Sequence, residues 1–362
     1  MSITKEQVLN ALSHVDDPDL NKDLVSLGMI KDIEITSQKI SFSVVLTTPA
    51  CPMKDMIQNA CINAIHHFID KNISVEANMT SNVTTHRDDL EKMLPQVKNI
   101  VAISSGKGGV GKSTTTVNLA FALAREGASV GIIDADIYGP SIPTMVGLAN
   151  QRPGVDEIDG KQVIIPLEKH GIKVMSIGFL IGEDQPVVWR GAMVSKALNQ
   201  FFSDCHWGAL DYLLLDLPPG TGDIQLTISQ AAPITGAAVV TTPQEVAILD
   251  VKKAINMFKL DQINIPILGI VENMSWFTPE ELPENKYYLF GKDGGKNLAE
   301  QLNVPLLGEI PLVQGIRESG DYGSPIVLED AHPAAEAYRK MAKNFAQQIA
   351  IVNAQKSKLQ EA

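Results

Sequence analysis

The sequence predicts an α/β protein: a doubly wound, mainly parallel sheet flanked by helices, preceded by a small α+β domain. Three observations carry this reading. Apolar runs of strand length recur at 130–133, 174–177, 212–215, 237–240 and 267–271, with helical segments between most of them. These runs are continuous rather than alternating, which marks strands buried on both faces, as in parallel sheets covered by helices. A β-branched run from residue 100 also leads directly into a glycine-rich loop and then a helical pattern, in the order strand, loop, helix.

Taken in order, residues 1–80 read as the small domain. Thr4 caps a first helix carrying Val8, Leu9 and Leu12, and strands follow over 29–35 and 40–46. A helix opens at Pro52 and a short strand covers 73–79. Residues 81–98 are polar, lack a sustained period and contain Pro95, so they are expected to link this unit to a large domain over 99–362. Near the end, Tyr338, Met341, Phe345 and Ile349 recur at helical spacing with few basic residues beside them, the pattern of a packing helix rather than a membrane-surface anchor.

Composition narrows the function. The chain has 362 residues, 44% of them hydrophobic, enough for two ordinary cores. Its formal charge of −12 argues against a general nucleic-acid binder, whose phosphate contacts need clustered Lys and Arg. No apolar run approaches the length of a membrane span and no charged-then-apolar leader opens the sequence, so a cytoplasmic location without membrane attachment is expected. Cys51, Cys61 and Cys205 form no CxxC pair and fit a reducing compartment.

The chemistry concentrates after residue 100. Gly106 and Gly111 bracket four residues and are followed by Lys112 and Ser113, the spacing of a phosphate-binding loop. Glycines let such a loop turn its N–H groups inward around phosphate oxygens, and the helix starting at Thr114 offers its N-terminus to the anion. Lys112 is expected on the β- and γ-phosphates and Ser113 on Mg²⁺, with Gly106, Lys107, Gly108, Gly109, Val110, Gly111 and Thr114 completing the cradle. Two further carboxylates, Asp134 and Asp136, end the next strand, where ligands bind in doubly wound sheets. Asp216 ends another and suits a role in holding Mg²⁺, ahead of a loop in which Gly220 and Gly222 permit movement. Asn273 follows a further strand and can both donate and accept, as a base reader or a turn residue would.

The loop Gly106-Lys107-Gly108-Gly109-Val110-Gly111-Lys112-Ser113-Thr114 resembles the deviant phosphate loop of the MinD/ParA/nitrogenase-iron-protein class of P-loop NTPases. The resemblance implies that Lys107 reaches across a homodimer interface to the partner's nucleotide and that Asp136 positions the attacking water. The run Asp216-Leu217-Pro218-Pro219-Gly220-Thr221-Gly222-Asp223 is similar to the Mrp/ApbC branch, as are segments at 189–193, 241–245, 271–275 and Ile310-Pro311. By that likeness Asn273 contacts adenine, with Pro311 nearby. Residues 17–20, 27–30 and 47–52 resemble a small domain used in iron-sulfur assembly. Together these imply an Mg²⁺-dependent ATPase that carries an iron-sulfur cluster to apoprotein clients, with Lys107, Lys112 and Asp136 serving hydrolysis. No role is assigned to Arg190.

One departure cuts against this. The CxxC that many members carry shortly after 271–275 is absent, and 276–285 contains no cysteine. Cys51 then becomes the candidate cluster ligand. It precedes Pro52 at an expected helix N-terminus, where the dipole favours thiolate. An inert Cys51 remains open, as do a MinD/ParA-like positioning switch and a metal-free ATP-dependent adaptor.

Overall fold

The computed structural model describes residues 3–86, 94–137, 139–180, 191–279, 281–282 and 284–360. The small domain runs α1 (Lys5–Leu12), a minimal ladder of β1 (Asp16–Asp17) and β2 (Lys22–Asp23), then β3 (Ile30–Ile35), β4 (Lys39–Leu46), α2 (Lys54–Phe68) and β5 (Ser74–Ser81). Thr4 does cap α1, in a capping box with Gln7. β4 alternates buried and half-exposed residues because one face of the three-stranded sheet β3-β4-β5 packs on the two helices. α2 begins at Lys54 rather than Pro52, and its N-terminal flank Met53 makes no side-chain cap.

The large domain opens with β6 (Val97–Ser105) and α3 (Lys112–Arg125), followed by β7 (Val130–Asp134) and the short α4 (Ile142–Met145). Next come β8 (Gly154–Ile158), β9 (Lys161–Ile165), β10 (Leu167–Lys169), β11 (Ile172–Ser176), α5 (Gly191–Ser203), β12 (Leu210–Asp216) and α6 (Asp223–Ala231). It closes with β13 (Gly236–Thr241), α7 (Glu245–Phe258), β14 (Ile267–Phe277), α8 (Gly294–Leu302), β15 (Leu306–Leu312), α9 (Gln314–Asp321) and α10 (Pro333–Gln360).

Among the described residues, eight strands form one sheet in the order β10-β11-β7-β12-β6-β13-β14-β15, parallel except at β10. Burial on both faces explains the continuous apolar runs: Val101 and Ile103 of β6 pack with α3 and α10, while Ile100 and Ala102 pack with α5 and α6. Tyr338, Met341, Phe345 and Ile349 are at most 1% exposed, so α10 is a packing helix. No helix of the described residues is long and apolar enough to cross a membrane.

The two units are joined by more than the chain. Thr48 and Tyr212 hydroxyls pair at 3.1 Å, and Ala50 enters the core formed by α3, α10 and the sheet. The Gln347 amide donates to Asp19 of the small domain, and the Asn353 amide fixes the connection by donating to the Thr84 carbonyl at 2.9 Å.

Candidate nucleotide site

The phosphate loop leaves β6 through a position that admits no side chain: a Cβ on Gly106 would stand 2.3 Å from the backbone carbonyl carbon of Asp250 on α7. The loop re-enters helix at Gly111, whose φ of +82° favours glycine and whose Cβ would meet the Asn273 amide at 2.2 Å. The N-terminus of α3, which no side chain caps, therefore faces a cavity of ≈ 190 Å³ bounded by Lys107, Gly109, Lys112, Ser113 and Asp136.

The carboxylates arrive from the neighbouring strands. Register pairs Asp216 of β12 with Asp134 of β7 on one side and with Ile103 of β6 on the other, so both acids end beside the loop. Asp216 is fully buried and is the hub of the site. Its Oδ2 receives the Lys112 ammonium and the Ser113 hydroxyl, each at 2.6 Å, and its Oδ1 receives the Thr116 hydroxyl at 2.6 Å. Asp136 lies 3.6 Å from Lys112. Burial works against the Lys112 ammonium, but Asp216, Asp136 and Asp134 outweigh it and hold its pKa above the ordinary value. Asp134, donated to by Ser176 and by the Asp136 N–H, takes the opposite turn: burial first, then the Asp216 charge, push its carboxyl up to about 8. Asp134 is thus pushed toward its neutral form by the desolvated site it shares with Asp216.

A second cavity of ≈ 420 Å³ adjoins the first, sharing Gly111 and Thr114 and lined by Asn273, Met274, Pro311 and Arg317. Asn273 lies inside β14 rather than after a strand's end as expected; it is buried and its amide donates to the Val110 carbonyl at 2.8 Å, which ties β14 to the phosphate loop. Met274 then turns left-handed, with φ of +55°, and Glu272 caps α8 by accepting the Gly295 N–H at 2.6 Å. Lys107 points away from the hub: its ammonium donates to the Gln244 side-chain oxygen at 3.3 Å, and no carboxylate of the described residues forms an ion pair with it.

Lys107, Gly108, Gly109, Lys112, Ser113 and Asp136 therefore line the first cavity, Asn273 and Pro311 the second, and Gly111 and Thr114 both. Asp216 sits behind the first through its bonds to Lys112 and Ser113, and Gly106 and Val110 belong to the loop without lining either. Thr116 was not foreseen, although the threonine run 114–116 one turn into α3 was its signal. Arg190 lies outside the described residues. All donors at the hub are hard oxygens or an ammonium, a set that suits Mg²⁺ and phosphate rather than a soft metal.

Cys51 does not behave as its neighbourhood in sequence suggested. It is half-buried, and burial pushes its thiol pKa up, helped by Asp19 and Asp17 and opposed by the Met53 N–H and Lys54. The helix opens at Lys54 rather than beside the sulfur, and the neutral thiol is favoured. Alkylation of Cys51 by iodoacetamide, followed by peptide mass spectrometry, should accelerate with a midpoint above that of an unstructured cysteine. A profile matching the free amino acid would show the thiol to be unburdened. Burial pushes Cys61 and Cys205 up to about 12, as core residues. Among the described residues, no group of three or more His, Cys, Asp or Glu is placed to hold a metal ion.

Comparison with known proteins agrees with this geometry. Residues 96–346 match the model of the NUBPL iron-transfer P-loop NTPases, and residues 5–78 match that of the iron-sulfur cluster assembly proteins. An iron-sulfur cluster carrier protein from Synechocystis sp. is 48% identical over 96% of this chain and 99% of its own length. One from Escherichia coli is 52% identical over 70% of this chain and 67% of its own. A solved nucleotide-binding protein from Archaeoglobus fulgidus, in complex with ADP, is 38% identical and superposes with a TM-score of 0.58 over 69% of this chain and 95% of that one. With a doubly wound sheet, a phosphate loop at the end of its central strand and a family model spanning most of its length, the chain belongs to the NUBPL iron-transfer P-loop NTPases.

Proposed function

We propose that the protein is an ATP-hydrolysing iron-sulfur cluster carrier that works as a nucleotide-bridged homodimer and hands its cluster to apoprotein clients. The observation that carries the ATPase part is the convergence of Lys112, Ser113 and Thr116 on Asp216 within 2.6 Å, at the mouth of a glycine cradle. Lys112 exchanges its bond to Asp216 for phosphate oxygens, and the amides of the loop and of α3 hold the remaining phosphate charge. Ser113 and Asp216 would hold Mg²⁺, which would supply neutralisation of phosphate charge. Asp136 orients the attacking water, Asn273 and Pro311 receive adenine in the adjoining cavity, and Lys107 serves the partner's nucleotide. Residues 1–80 act as the client-facing or cargo-facing unit, 81–98 as the connection and 99–362 as the ATPase.

The cargo follows from the names of the relatives and from the two family matches. Anaerobic reconstitution with iron and sulfide, with iron per chain and visible absorption measured beside Cys51→Ser, tests it. A stable chromophore lost in the variant supports a carrier whose ligand sits in the small domain. No chromophore in either chain favours a metal-free ATP-driven adaptor, the reading that the missing CxxC supports.

A further inference from the structure

Gln225 lies on the first turn of α6, directly after the loop containing Gly220 and Gly222, and is 1% exposed. Its amide donates to the Ser104 hydroxyl at 2.8 Å, two residues ahead of Gly106. Two backbone bonds run the same way, from the Leu217 N–H to the Ile103 carbonyl at 3.0 Å and from the Gly220 N–H to the Ser105 carbonyl at 2.9 Å. Among the described residues, the segment after Asp216 is therefore sewn to the last residues of β6 by these three bonds, of which the Gln225 bond uses a side chain as donor.

That bond is half of what Gln225 needs. Among the described residues its side-chain carbonyl has no partner, and neither does the hydroxyl of Ser229, which is 5% exposed and sits four residues on, on the same face of α6. A buried acceptor and a buried hydroxyl stranded one turn apart weigh against the placement of α6 that strands them, and such groups mark stored strain.

We propose that Gln225 is a positioning residue of the nucleotide cycle: its amide latches α6 to the base of the phosphate loop, and the stranded carbonyl and Ser229 hydroxyl keep that latch weak enough for nucleotide to shift. The inference rests on the nucleotide-hydrolysing reading above. It supplies a route by which a γ-phosphate touching the 220–222 loop moves a helix rather than a loop alone. A ligand shifts such an equilibrium only by its differential affinity for the two placements, so a poised latch lowers what the phosphate contact must supply.

Gln225→Met combined with Ser104→Ala, and Ser229→Ala by itself, test this in the full chain: the pair removes both ends of the 2.8 Å bond, so no buried partner is newly stranded, and buried volume stays close to the parent's. The Gln225→Met/Ser104→Ala pair should melt at or above the parent's temperature, lower kcat roughly tenfold and leave KM for ATP within about twofold. Hydrogen exchange of the α6 amides should differ between ADP and a non-hydrolysable ATP analogue in the parent and not in that pair. Ser229→Ala should melt higher than the parent and narrow the same difference. A variant that loses melting temperature and turnover together, or that keeps full turnover, overturns the latch. A parent that binds nucleotide yet shows equal exchange in both states overturns it while leaving the site intact. A parent that binds no nucleotide overturns both.

Discussion

Asp216→Asn should abolish turnover and lower the unfolding free energy by about 3–5 kcal/mol, the usual cost of breaking a buried ion pair by removing one partner. The side chain is 0% exposed and accepts three donors, and an amide offers one acceptor oxygen and two unwanted hydrogens to Lys112, Ser113 and Thr116. Lys112, 6% exposed, would be left with Asp136 at 3.6 Å as its nearer charged neighbour. Phosphate release and denaturant midpoints together check the result. Thr116→Val grades it, since that change removes one neutral donor to a charged acceptor and should cost about 1.5–3 kcal/mol. If Asp216→Asn unfolds at the parent's denaturant midpoint, the hub is not what holds these strand ends together.

Lys107→Ala is expected to leave nucleotide affinity within a few fold and to cut turnover by roughly 10³-fold, the lower range for a cation supplied across an interface to a phosphoryl-transfer transition state. The geometry behind this is what Lys107 does not do. It sits in the loop but bonds the neutral Gln244 amide, while Lys112 occupies the carboxylates. Mixing separates the ways it could act. An excess of Lys112→Ala chains, each with an intact Lys107, should restore part of the turnover of Lys107→Ala chains. If mixing restores nothing, Lys107 works within its own chain and the bridged dimer loses its main support.

What could be read from the sequence and what could not divides along a physical line. The phosphate loop, the helix after it and Asp216 were readable because their chemistry is written in contiguous residues at fixed spacing. The meeting of Thr116 with Asp216 was not, because it joins positions a hundred residues apart. Nor was the elevated Asp134 carboxyl, since only the register of β7 on β12 sets the second acid beside it. The hairpin of β8 and β9 was missed although Asp159-Gly160 announced it: both residues adopt positive φ, 52° and 76°, as a two-residue hairpin turn requires. At Cys51 the error lay in taking a proline for the first helical residue. The helix opens at Lys54, and burial, with Asp19 and Asp17 nearby, raises the thiol pKa.

Thr48, Ala50 and Tyr212 give the small domain a standing that a domain diagram hides. β12 carries Tyr212 near one end, against Thr48, and Asp216 at the other, against Lys112. Ala50 is counted among the apolar residues that fill the neighbouring unit's interior. A unit that lends a residue to another's core is not a detachable accessory: grafting a foreign small domain onto this ATPase would need a matching plug as well as a matching hinge. The loop that bears Cys51 is thus held in one orientation by the enzyme it accompanies, so its sequence answers to two sets of neighbours at once.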